Sequence, residues 1–194
     1  DMIAQMFDNF TTDDEKWLYD FYLQESVHAA DSLREKVRTH YEGMLSKYGH
    51  LFPGKPVPDF TFTDLKGKRL SLASFRGQTL LVDIWGTWCG PCKEEIPYIA
   101  ALQKEYVGRK DVRIISIACD KKAERWKTYL DKHPASWDQY LITEEGNKVL
   151  DEVYFCEGIP RFFIIDKQGR FITADAMRPS EKVFAEYFKK IVNQ

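Results

Sequence analysis

The stretch Leu80-Leu81-Val82-Asp83-Ile84-Trp85-Gly86-Thr87-Trp88-Cys89-Gly90-Pro91-Cys92-Lys93-Glu94-Glu95-Ile96 decides the fold. It opens as a short apolar run of buried-strand length and closes on helix-favouring residues. A Cys-x-x-Cys pair at such a strand-to-helix turn suits disulfide exchange, because the spacing lets two sulfurs bridge within one helical turn. The first sulfur meets the helix N-terminus, where unpaired N–H groups and the macrodipole favour a thiolate. Cys89 is therefore the expected nucleophile, on the exposed helix end, while Cys92 points back into the first turn. A zinc site or an inert structural disulfide is the alternative. Zinc needs two further ligands, and Cys119 and Cys156 do not form a second close pair.

Asp83 interrupts an otherwise apolar strand, where burying its charge costs on the order of several kcal/mol and raises its pKa. Glu95 follows Cys92 by three residues and shares its helix face, unless it is solvated like Glu94 beside it. Residues 60–63 and 70–72, around the turn at 64–68, read as a hairpin. Downstream, a helix at 90–107, a strand at 112–118 and a helix at 121–132 alternate, the last stopped by His133-Pro134. Residues 135–153 look irregular. A strand at 161–165, a turn at 166–169, a strand at 171–174 and a helix at 180–192 close the chain. The expected class is α/β: a central mixed sheet flanked by helices.

Upstream, residues 12–48 carry apolar positions at helical spacing (Trp17, Leu18, Phe21, Tyr22, then Leu33, Val37, Tyr41, Met44, Leu45 and Tyr48). Thr12 and Glu15 form a possible capping box, and Gly43 is expected to interrupt or bend the pattern. Such a stripe must bury itself, against the neighbouring domain, missing sequence or a second copy in a homodimer. Pro53, Pro56 and Pro58 with Gly54 cannot continue a helix, so a boundary is placed here. Residues 1–52 are expected to be a helical N-terminal extension and residues 53–194 the main domain.

Net charge is -2, with 28 basic against 30 acidic residues, which offers nothing to attract nucleic acid. No stretch approaches the roughly 20 apolar residues of a membrane span, and Asp1-Met2-Ile3 is unlike the basic start of a signal peptide, so a mature or excised fragment is expected. His28, His40, His50 and His133 show no metal spacing, and no metal or cofactor is expected. Cys119 and Cys156 read as small buried hydrophobes, with a shuttling role for Cys156 as the sharper alternative.

The order strand, Cys-x-x-Cys helix, strand, helix, then Gly158-Ile159-Pro160 before a hairpin and last helix resembles the thioredoxin superfamily. With Trp85-Gly86-Thr87-Trp88-Cys89-Gly90-Pro91-Cys92-Lys93-Glu94-Glu95-Ile96-Pro97 and a hairpin after Pro56-Val57-Pro58-Asp59-Phe60, the chain is most similar to the extracytoplasmic TlpA/ResA-like branch. The resemblance spans residues 55–194. It implies a thioredoxin-like fold in which Cys89 attacks a substrate disulfide and Cys92 resolves the mixed disulfide. It also makes Asp83 a proton acceptor for the resolving thiol and Glu95 the active-site glutamate. Having both is a departure, since ResA-like proteins usually lack the aspartate and thioredoxins the glutamate. Pro160 is the implied cis-proline and Pro97 the helix-kinking one. Trp88, Gly90, Pro91, Ile159 and Pro160 make up the implied substrate surface, with Ile159 pairing its backbone with an extended client; Arg161, where many relatives carry threonine, is expected either to contact substrate or to form a surface ion pair. The family setting implies the bacterial cell envelope or periplasm, with the cytoplasm as the alternative, disulfide-bearing protein clients, a membrane thiol electron donor and, in some relatives, cytochrome c maturation.

Gly-Pro between the cysteines resembles the reducing thioredoxins, and two nearby carboxylates oppose the thiolate that strong oxidants stabilise, so a reductase is expected over an oxidant. Two other functions fit the fold. A thiol peroxidase would need proline at 82 and threonine at 86, where Val82 and Gly86 stand. A binding, chaperone or copper-delivery module would not require the intact Cys-Gly-Pro-Cys.

Overall fold

A computed structural model describes residues 31–193. The expected Thr12 cap and the apolar positions from Trp17 to Tyr22 lie outside the described residues. Helix α1 (Asp31–Tyr48) passes through Gly43 without a break, as it can when a lone glycine costs only about 1 kcal/mol. From its stripe, Val37 and Met44 are buried while Leu45 faces outward. Its C-terminal end seats on a later loop: the Tyr48 ring meets Phe155 edge-on at 5.0 Å, and His50 Nε2 lies 2.8 Å from the Val153 carbonyl oxygen.

The proline-rich stretch is no loose tether. Gly54 N–H donates to Phe171 O at 2.7 Å, Val57 N–H donates to Gly169 O at 3.0 Å, and Pro56 bridges Arg170. It lies along the last strand of the sheet.

The hairpin β1 (Thr61–Thr63) and β2 (Arg69–Ser71) leads into β3 (Thr79–Trp85), α2 (Gly90–Tyr106), β4 (Val112–Ala118) and α3 (Ala123–Lys132). Then come β5 (Asp138–Ile142), α4 (Glu144–Glu152), β6 (Arg161–Ile165), β7 (Phe171–Thr173) and α5 (Phe184–Val192). The expected irregular region at 135–153 is thus a strand and a helix, the latter capped by Thr143 Oγ1 accepting from Gly146 N–H at 3.0 Å. The strands form one mixed sheet in the order β2-β1-β5-β4-β3-β6-β7. β4 runs parallel to both β3 and β5, while β6 is antiparallel to β3.

Strand side chains alternate between faces. Leu80, Val82 and Ile84 join Ile115, Phe163 and Leu150 on one side. Leu81, Ile114 and Ile164 join Ile99 of α2 and Phe184 and Phe188 of α5 on the other. Ile99 and Phe188 are fully buried, each worth about 1.5–3 kcal/mol of transfer from water. By the same alternation Asp83, between Leu81 and Trp85, points into the side covered by α2.

Candidate active site

β3 ends at Trp85, and the chain must reverse within a few residues to start α2. Thr87 holds that turn: its N–H donates to Asp120 Oδ2 at 2.8 Å and its hydroxyl donates to Asp120 Oδ1. Cys119 N–H donates to Trp85 O at 2.8 Å, and Cys89 N–H donates to Gly86 O at 3.0 Å. Gly86 carries the Trp88 indole so closely that a Cβ there would lie 2.9 Å from it. Trp88 itself is 57% exposed beside the cysteines.

Cys89 is the N-cap of α2, its sulfur accepting from Cys92 N–H at 3.1 Å, with Pro91 in the first helical turn. The two cysteines are joined in a disulfide. The expected open exposure of Cys89 is corrected here. It is 5% exposed and Cys92 2%, because both pack with Trp85, Ala118, Trp126 and Leu130. Gly90 and Pro91, by contrast, are exposed at the helix start.

The Ile159-Pro160 peptide is cis, and the Ile159 carbonyl oxygen lies 3.7 Å from Cys89 Sγ. A disulfide sulfur has no proton, so this is a contact in the oxidised state; a thiol there would have an acceptor waiting. Arg161 pairs with Asp175 at 2.7 Å. Together with Pro160, Met177 and Tyr187 they line an open cleft of about 640 Å³.

Asp83 is 4% exposed. Burial pushes its carboxyl up to about 7; the Ser116 hydroxyl, donating to Oδ2 at 2.7 Å, opposes that rise, and the negative charge of Glu95 adds to it. Glu95 is not a solvated helix residue but 3% exposed. Ser180 donates to both its oxygens, N–H to Oε2 at 2.9 Å and hydroxyl to Oε1 at 2.8 Å, so Glu95 ties α2 to the loop after β7. Pro97 sits inside α2 without ending it.

Burial pushes the Cys119 thiol up to about 12, with Cys156 nearby adding to the rise, and burial raises Cys156 as well. Cys156 Sγ lies 3.4 Å from Gly158 O. Both are partly buried against the core rather than fully buried, and a thiol raised in this way is a poor nucleophile. Among the described residues no cluster of three or more His, Cys, Asp or Glu is arranged to hold a metal ion, and no helix is long and apolar enough to cross a membrane.

Sequence reasoning missed Asp120, Ser116 and Ser180. Each acts on a residue 33 or more positions away, and none stands in a recognisable motif.

Comparison with known proteins matches residues 52–187 to the Redoxin family. The chain is 32% identical over 153 residues to the thiol-disulfide oxidoreductase ResA of Bacillus cereus, covering 79% of this chain and 86% of the relative. It is 26% identical to ResA of Bacillus subtilis, covering 79% and 83%. The crystal structure of the thioredoxin domain of a thiol-disulfide oxidoreductase from Bacteroides vulgatus superposes with a TM-score of 0.66 at 29% identity, covering 74% of this chain and 99% of that one. A thiol:disulfide interchange protein from a Bacteroides species gives 0.66 at 28% identity, covering 74% and 92%.

Proposed function

The chain belongs to the Redoxin family, among the ResA-like thiol-disulfide oxidoreductases of the thioredoxin superfamily, and from that we propose that it reduces protein disulfides through Cys89 and Cys92. One observation carries the reading: the Cys89 sulfur caps α2 and faces the carbonyl of a cis-proline peptide. The Cys89 thiolate, favoured by the helix N-terminus, attacks one sulfur of a client disulfide and the other sulfur leaves. A client strand lies along Ile159-Pro160, with Trp88, Gly90, Pro91 and Arg161 around it. Cys92 then gives its proton to Asp83 and attacks Cys89. The Cys89–Cys92 bond forms as the bond from Cys89 to the client breaks, and the client departs with both sulfurs reduced.

Glu95 holds the helix and the neighbouring loop together and, as a second negative charge, keeps Asp83 ready to hold a proton. Both carboxylates oppose a stable thiolate on Cys92, which supports the reducing direction. Residues 53–194 would form the catalytic domain and residues 1–52 a helical extension. The clients are disulfide-bearing proteins of the cell envelope, and a membrane thiol donor would return the electrons.

The test is trapping. Cys92→Ser should accumulate a mixed disulfide at Cys89 with a disulfide-bearing protein such as insulin, and wild-type enzyme should reduce insulin with a dependence on Cys89. Turnover that survives Cys89→Ser would overturn the assignment.

A further inference from the structure

Ser116 lies opposite Asp83 in the parallel register of β3 and β4, 1% exposed, and its hydroxyl does two things. It donates to Asp83 Oδ2 at 2.7 Å and accepts from the indole Nε1–H of Trp137 at 2.8 Å. A hydroxyl has one proton and an indole is a donor only. With Trp137 N–H pointing at the serine oxygen, that one proton cannot turn toward the indole, so it is aimed at the aspartate. Trp137 comes from the segment just before β5, and its ring lines a cleft of about 370 Å³ with Tyr106, Arg109, Arg113 and Asp138. The chain of bonds therefore runs from the protein surface, across three neighbouring elements, to the buried carboxyl of Asp83.

We propose that Ser116 and Trp137 are positioning residues for Asp83, fixing the hydrogen bond that decides when this carboxyl can take the proton of Cys92. The inference rests on the role given to Asp83 above. A hydrogen bond to the charged form favours that form, and here it offsets part of the cost of burial. The titratable group on α2 that acts on Asp83 is Glu95, whose charge adds to the carboxyl's rise; Cys119 after β4 in turn feels the Asp83 charge. Neither positioning residue touches the client or the reacting sulfurs in this scheme.

Two measurements test it. In oxidised protein carrying 13C at the aspartate carboxyls, the Asp83 signal, identified by its loss in Asp83→Asn, is titrated in wild type, Ser116→Ala, Ser116→Thr and Trp137→Phe. Ser116→Ala should move the midpoint up by about one pH unit. Trp137→Phe should move it less in the same direction, and Ser116→Thr, which keeps the hydroxyl, should stay near wild type. A midpoint unmoved in Ser116→Ala overturns the proposal.

The second measurement uses reduced enzyme and 5,5′-dithiobis(2-nitrobenzoate), whose first thionitrobenzoate equivalent reports attack by Cys89 and whose second reports resolution by Cys92. With the midpoint starting at about 7, a one-unit rise cuts the ionised fraction at pH 7 from about half to about a tenth. The second release in Ser116→Ala should then be about five-fold slower at pH 7 and recover above pH 9, with the first release nearly unchanged. Equal slowing at both pH values, or slowing that persists in an Asp83→Asn background, also overturns the proposal. Failure of the premise looks different. If Asp83→Asn alone releases the second equivalent at the wild-type rate, the base assignment falls even though the carboxyl midpoint still moves in Ser116→Ala.

Discussion

Replacing Asp83 by asparagine should stabilise this protein at alkaline pH and not at acidic pH. In the fold the carboxyl's pKa is raised from 3.8 to about 7, chiefly by burial. Between those values the folded state keeps a proton that the unfolded state has released, so stability falls as pH rises through the window and levels off above 7. The difference amounts to about 4 kcal/mol by pH 8, at roughly 1.4 kcal/mol per unit. Asparagine keeps the shape and can still accept from Ser116, but it buries an extra N–H donor at a cost of about 1–3 kcal/mol. The variant should therefore gain about 1–3 kcal/mol over wild type at pH 8 and be equal or slightly weaker at pH 4.5. Urea unfolding of the oxidised proteins reads this directly. With m near 2–3 kcal/mol/M, the midpoint at pH 8 should rise by about 0.3–1.5 M, with m unchanged. The reasoning is refuted if the gap between the two proteins is the same at pH 4.5 and pH 8.

Three further substitutions address the scaffold around the site. Asp120→Ala strips both Thr87 donors of their acceptor and should cost about 3 kcal/mol in urea unfolding; a loss below half of that would show that the turn is held elsewhere. Gly146→Ala would place a Cβ 2.2 Å from the Thr61 carbonyl oxygen, so α4 must shift off β1, with a loss of about 1–3 kcal/mol or more; wild-type stability by the same assay contradicts this packing. Ser180→Ala leaves Glu95 Oε1 without its hydroxyl donor and should destabilise by about 1–3 kcal/mol, whereas an unchanged unfolding midpoint would mean that water replaces the serine.

What could be read from sequence followed local chemistry. β3, β4 and β6 are runs of Leu, Val, Ile and Phe buried on both faces, and such runs announce themselves without context. β5 and α4 did not. β5 is half-buried, with Asp138 and Gln139 at its start, and α4 buries only Gly146 and Leu150 among glutamates, asparagine and lysine. A signal for α4 was present: Thr143 before Glu144-Glu145 is an N-cap followed by an acidic first turn. Within the site, the cysteine pair and Asp83 stood out because each is costly or reactive where it lies. Asp120, Ser116 and Ser180 are ordinary polar residues whose partners appear only when the sheet brings distant segments together. Burial of Cys89 escaped notice for the same reason, since Trp126 and Leu130 cover it from another helix.

The proline-bearing strip clamped along β7 bears on how this molecule behaves among its copies. A strand at the rim of a sheet leaves main-chain donors and acceptors open, and these can template fibrous association. Here the chain's own Gly54 and Val57 amides occupy carbonyls along that rim, and the prolines beside them offer no amide of their own to a newcomer. Over Gly169 to Phe171 that border is occupied from within, so a crowding neighbour meets main-chain groups already paired there.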